Sequence, residues 1–244
     1  RPANLDELAD TEDSEAAAAP EVLLLAEGDS NVLTVTRDTL DEMRIPWRCD
    51  DHLDMELMDQ IHTVLLCDGD LASLAGEDAV ALIHWVEKGG NLGLLVVPEE
   101  SGWFQIVRQK LGVVEDSNDY REYGALKMAS GVLPVFDGMT LDEDVDDFSL
   151  QVRLAEDCRV LMETGDEAGT PLIWSRDIGD GRAVVCDHSL ITGKDARGYV
   201  RLVLDELEPV LVYPVINAGM LFIDDFPAPQ PEGYDERIQK QYGM

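Results

Sequence analysis

Residues 77–97 read EDAVALIHWVEKGGNLGLLVV. Val80, Ile83 and Val86 recur at helical spacing, which predicts a helix from about Glu77 to Lys88. Gly89-Gly90 supplies its C-terminal stop, and Leu92–Val97 is a short apolar run of strand length. Alternating strands and helices precede it. Val22-Leu23-Leu24-Leu25-Ala26 reads as a strand buried on both faces. Glu27-Gly28-Asp29-Ser30 follows as a turn with N-cap candidates, and Val32, Val35, Leu40 and Met43 lie at helical spacing. Ile45–Cys49 predicts a second strand, Met55–Ile61 a short helix, and Thr63–Cys67 a third strand ending in Asp68-Gly69-Asp70. Trp103, Phe104, Val107 and Leu111 predict one more helix, closed by Gly112. Short apolar strands alternating with amphipathic helices predict an α/β fold: a flavodoxin-like, doubly wound, mainly parallel sheet.

The second half changes character. Segments 124–136, 148–154, 159–164, 171–178 and 182–187 read as strands, with 177–182 (DIGDGR) as a hairpin turn. Residues 142–147 (DEDVDD) read as an acidic loop, and Asp195–Leu207 as a helix with Val200, Val203, Leu204 and Leu207 on its buried stripe. The sheet is therefore expected to gain antiparallel edge strands. Residues 1–20, acidic and Ala-rich, read as a flexible leader; 21–209 form the α/β domain; 210–244 open a further segment after a boundary near Pro209–Pro214. The first residue is Arg1, so a trimmed N-terminus is expected.

Asp plus Glu total 51 against 18 Lys plus Arg, a formal net charge of −33. Such a field repels phosphate backbones and anionic lipid, which argues against nucleic-acid binding and docking on acidic membranes. No uninterrupted apolar run reaches the roughly 18 residues of a membrane helix. An exported protein, a salt-adapted one and an acidic cytosolic one all fit this charge; an extracellular or cell-envelope location is the expectation. Cys49, Cys67, Cys158 and Cys186 are widely spaced without a C-x-x-C and read as small core residues. His52, His62, His84 and His188 show no H-x-x-x-H or H-E-x-x-H spacing. The pairs Asp50-Asp51, Asp68/Asp70 and Asp146-Asp147 lack the order of a Ca²⁺ loop and read as solvated acidic turns.

IHWVEKGGNLGLLVV and TPLIWSRDIGDGRAVVCDHSL resemble the helix–strand unit and later hairpin of class I glutamine-amidotransferase-like domains, including those attached to some glycoside hydrolases. The resemblance covers roughly residues 21–207 and is one of architecture. Catalysis of that kind needs a nucleophilic Cys on a sharp strand-to-helix turn and a His base. After Leu92–Val97 comes Pro98-Glu99-Glu100-Ser101-Gly102, without a Cys. His188 follows a strand where such domains carry their His, with no matching nucleophile, so a non-catalytic relative is expected.

A second resemblance begins at Met220-Leu221-Phe222-Ile223-Asp224-Asp225, a strand ending in two acids. LFIDDFPAP resembles the first motif of polysaccharide deacetylases, which implies Asp224 as catalytic base and Asp225 as a ligand of a divalent metal, zinc. The wider string YPVINAGMLFIDDFPAPQPEG resembles a bacterial uncharacterised family, domain of unknown function 2194, whose members look like an amidotransferase-like domain followed by a deacetylase-like barrel. The family's downstream H-x-x-x-H does not occur up to Met244, so at most the first strand and turn of that barrel are expected here. Two readings follow. One is a non-catalytic accessory domain of a carbohydrate-active, deacetylase-like protein, serving positioning, oligomerisation or glycan contact, with a polysaccharide partner. The other is a self-contained glycan or small-molecule module using the crevice beyond the strand ends, with Glu27, Asp29, Ser30, Asp68, Asp70, Glu99 and Ser101 as its candidate residues.

Overall fold

A computed structural model describes residues 21–69, 71–74, 76–98, 102–132, 140–189, 191 and 195–208. They fall in one compact unit that reaches no further than Pro214; a second unit, Val215–Met244, lies outside them. The leader and the Pro209–Pro214 boundary likewise lie outside the described residues.

The parallel half is built from β1 (Glu21–Leu25), β2 (Trp47–Asp50), β3 (Ile61–Leu66) and β4 (Asn91–Leu94), joined on one edge by β9 (Gly181–Cys186). The inner strands β1, β3, β4 and β9 are largely apolar on both faces because helices cover both, while the outer strand β2 is half-buried. Val22, Leu24 and Ala26 enter one core cluster, while Leu23 and Leu25 enter the other. Val184 and Cys186 of β9 repeat the first choice, Ala183 and Val185 the second. Helices α1 (Asn31–Met43) and α4 (Ala196–Leu207) seal the first face; α2 (Glu77–Glu87) and α3 (Gly102–Val107) seal the second. Each fully buried Leu or Val contributes about 1.5–3 kcal/mol, so these two layers carry most of the fold. Ser30 caps α1, its Oγ accepting from Leu33 N at 3.0 Å.

The other half is antiparallel. It comprises β5 (Val113–Met128), β6 (Thr140–Leu154), β7 (Arg159–Thr164) and β8 (Pro171–Ile178), and β8 pairs back onto β9. Among the described residues one nine-stranded sheet results, in the order β2-β1-β3-β4-β9-β8-β7-β5-β6. Four of its ladders are parallel and four antiparallel, so the sheet is evenly mixed, not mainly parallel with antiparallel edges. The long β5–β6 hairpin accounts for most of the difference. Residues 142–147, expected as a loop, form part of β6.

Two smaller expectations also change. Residues 55–60 are turns, not a helix: Asp54 Oδ1 accepts from Glu56 N at 2.9 Å, and the backbone bonds Leu57 N to Asp54 O and Gln60 N to Leu57 O close successive turns. Val80 is 42% exposed, and α2 buries Ala79, Leu82, Ile83 and Val86 instead. The hairpin at 177–182 forms as read, with Gly179 at φ 65° in the first central position of the two-residue turn. This turn packs on the end of α2, where Asp180 N donates to Glu87 O at 3.0 Å. A Cβ at Gly181 would run into the carbonyl oxygens of Val86 and Gly90. Trp174 is fully buried, and its Nε1 donates to Leu111 O at 2.9 Å, tying β8 to the segment after α3. Among the described residues no helix is long and apolar enough to cross a membrane.

Candidate functional site

The C-terminal ends of β1, β3, β4 and β9 lie side by side at one end of the sheet, where an open α/β fold gathers its loops. The first two loops meet there. Glu27, after β1, accepts from Ser73 N at 2.7 Å. Ser30 spends its oxygen on the α1 cap and donates to Cys67 O at 3.4 Å. Asp29 is almost fully exposed and lies 3.9 Å from Arg37. Asp68 is half-buried after β3, and the next residue, Gly69, accepts from Trp103 Nε1 at 3.2 Å. Asp70, Glu99 and Ser101 lie outside the described residues, as do Asp224 and Asp225. Glu27 and Ser30 each tie the loop after β1 to the end of β3 and the loop that follows it, Glu27 through the Ser73 amide and Ser30 through the Cys67 carbonyl.

A second polar group occupies the same end and was not read as a unit. Asp147 of β6 is 3% exposed. It accepts from Tyr123 Oη at 2.6 Å, Ser189 Oγ at 2.5 Å, Ser189 N at 3.0 Å and Phe148 N at 2.8 Å. Burial opposes its ionisation, but the Ser189 and Tyr123 hydroxyls and the two amides outweigh that and hold its carboxyl below the usual range. Asp187, directly after β9, is fully buried and accepts from Leu150 N at 3.0 Å. Desolvation pushes its carboxyl well above the usual value, only partly opposed by the Leu150 amide and reinforced by the Asp147 charge. Its Oδ2 and the Ser149 hydroxyl are buried without a hydrogen-bond partner among the described residues. His188 is fully buried against Tyr199, ring centroids 5.0 Å apart, and burial pushes its imidazole down to about 4. The two carboxylates form a reciprocal tie: Asp147 of β6 holds the loop after β9, and Asp187 of that loop holds β6. Only the Asp-His-Ser string after an apolar strand hints at this in sequence, because its partners lie about forty residues away.

Neither nearby thiol has nucleophilic character. Burial pushes Cys67 up to about 12 and Cys186 further still. All four cysteines are free, Cys67 and Cys186 buried and Cys49 and Cys158 partly so. Asp50, Asp51 and His52 at the end of β2 bring three ligand atoms within 4.8 Å of one another. The trio pairs with itself: the Asp51 hydrogen bond and the Asp50 charge raise the His52 imidazole, and His52 lowers Asp51.

Solved structures share this architecture. The carbohydrate deacetylase Agd3 is similar with a TM-score of 0.56 at 10% identity, over 77% of this chain and 32% of that one. A β-galactosidase from Bacillus circulans sp. alkalophilus gives 0.53 at 14%, over 77% and 31%. A cytoplasmic protein from Salmonella typhimurium LT2 gives 0.52 at 9%, over 74% and 93%. At these identities the likeness is one of fold, and this chain spans only about a third of the deacetylase and galactosidase chains. No curated protein matches the sequence. Residues 151–244 match the model of an uncharacterised protein family conserved in bacteria, domain of unknown function 2194, the family that the string at 213–233 resembles.

Proposed function

We propose that the chain carries a non-catalytic accessory domain of a bacterial carbohydrate-active protein of the deacetylase-like kind, acting through glycan contact. The observation that carries this reading is how the polar groups at the C-terminal strand ends are used. Glu27, Ser30, Asp147, Asp187 and Ser189 bind backbone amides or one another, which fastens loops and hairpin. His188, which follows a strand as the base of the resembled amidotransferase domains does, is fully buried and held neutral at pH 7. A buried neutral imidazole and high-pKa thiols are suited to a scaffold, not to acyl transfer. The parallel half fits a flavodoxin-like, amidotransferase-type scaffold, and its likeness to chains named as a carbohydrate deacetylase and a β-galactosidase supports a glycan setting. In the same reading Asp224 and Asp225 belong to a deacetylase-like segment, where they would serve as base and metal ligand alongside further ligands. The protein would then work outside the cytoplasm, at the cell envelope.

The test pairs binding with turnover. Titration calorimetry against soluble neutral and amino-sugar oligosaccharides is expected to give heat with at least one class. Acetate release from an acetylated glycan with added zinc is expected to stay at the no-protein baseline. Ammonia release from glutamine that disappears in Cys67→Ser, or acetate release at an enzymatic rate, would overturn the non-catalytic part. Silence with every oligosaccharide would overturn the glycan part.

A further inference from the structure

The β5–β6 hairpin presents one open face beside the crevice. Its register runs unbroken from Tyr120↔Leu150 through Glu122↔Phe148 to Tyr123↔Asp147. Side chains alternate, so Tyr123, Asp147 and Ser149 face one way and Tyr120, Glu122, Phe148 and Leu150 the other. Leu150 is buried, but Tyr120 is 39% and Phe148 47% exposed. Glu122 lies directly across from Phe148, and Tyr120 is its diagonal neighbour, about 7–8 Å away. Tyr120 Oη donates to Pro98 O at 3.0 Å, which anchors the ring to the loop after β4. Glu122 is exposed and has no ion-pair or hydrogen-bond partner among the described residues.

We propose that the Tyr120–Phe148–Glu122 face binds the amine-bearing rings of a cationic amino-sugar polymer; this deepens the glycan-contact reading and rests on it. Two exposed aromatics offer a surface for the apolar C–H face of a pyranose ring. An ammonium beside them gains from the negative ring faces and from the Glu122 carboxylate. Charge selects among glycans. The stretch 113–154 carries ten acids and three bases, within a chain of net charge −33. That field draws in a polycation and repels uronic-acid or phosphate polymers. A fully acetylated polymer, which is neutral, keeps the stacking and loses the charge term.

The experiment is titration calorimetry of the chain with glucosamine oligomers, N-acetylglucosamine oligomers and oligogalacturonate. The glucosamine oligomer is expected to bind about fivefold or more tightly than its acetylated counterpart, with no binding of the uronate. Phe148→Ala is expected to weaken both amino-sugar oligomers by about fivefold or more, and Glu122→Gln to remove the preference for the free amine. Tyr120→Phe keeps the ring and is expected to retain binding. Circular dichroism melts check folding; if Phe148→Ala unfolds, Glu122→Gln alone decides. Oligosaccharide binding that neither Phe148→Ala nor Glu122→Gln alters overturns this site and leaves the glycan-contact reading standing. Equal binding of amine and acetamide forms, with Glu122→Gln silent, overturns the amine preference alone. Absence of all binding overturns both.

Discussion

Asp147 and Asp187 show how two carboxylates in one cluster take opposite protonation behaviour. Asp147 has four donors and a depressed folded pKa. Its contribution is present above the unfolded value of about 3.9 and is lost as pH falls through its folded value. Asp187 has one amide donor and a raised folded pKa. Its contribution has the reverse sign: it is fully present below about pH 3.9 and is lost as pH rises toward its folded value. At neutral pH Asp187 therefore burdens the fold. Replacement by Asn keeps an oxygen for Leu150 N and cannot ionise. Asp187→Asn is expected to raise the melting temperature at pH 7–8, with about 2–4 °C for each kcal/mol gained, and the gain should shrink to nothing near pH 4. Melts across that range check it; a variant less stable than the parent at pH 7–8 would refute the assignment. His188 acts in the same window from the other side. Between about pH 6.5 and its folded value of about 4 the unfolded chain takes up a proton that the buried ring refuses, so stability falls with pH there.

At the scale of elements, the chain was legible where burial is two-sided. Leu23-Leu24-Leu25 and the α2–Gly89-Gly90–β4 unit declare themselves because each residue choice serves one of two cores. The β5–β6 hairpin does not, since it closes the sheet as its outer pair and only scattered residues such as Tyr123, Leu126 and Leu150 reach a core. Backbone pairing such as Ala125↔Asp142 places DEDVDD in a strand that its composition conceals. The cluster around Asp147 was hidden for the same reason: its members come from β5, β6 and the loop after β9, joined only once the hairpin folds over. The β8–β9 turn is the converse, a local signal with a tertiary consequence. Its glycines give φ 65° at Gly179 and close approach at Gly181 to the end of α2. Gly181→Ala places a methyl against backbone carbonyls, which cannot rotate away as a flexible side chain can. A loss of about 1–3 kcal/mol is expected, measured by urea unfolding. A change within a few tenths of a kcal/mol would mean that the helix end and turn can separate without cost.

Across the whole molecule the excess of acid becomes an energetic term. Among the described residues the cations are largely engaged: Arg182 and Arg159 both reach Glu206, Arg176 holds Asp157, and Lys110 holds Glu87. Most of these pairs are exposed on at least one side, where each is worth about 0–1 kcal/mol. The remaining acids repel one another across a surface of net charge −33. Added salt weakens both terms, but the repulsion is the larger, because 51 acids face only 18 bases. The Debye length falls from about 30 Å at 0.01 M to about 10 Å at 0.1 M, so the long-range part is screened first. The melting temperature is therefore expected to rise with sodium chloride, most steeply below about 0.1 M, and to level off above it. Calorimetric scans across that series check the shape. The same screening should weaken capture of a cationic glycan as it stabilises the fold, so affinity and melting temperature should move in opposite directions with salt. A melting temperature that falls with salt from the outset would mean that the ion pairs, not the surplus acids, dominate the electrostatics.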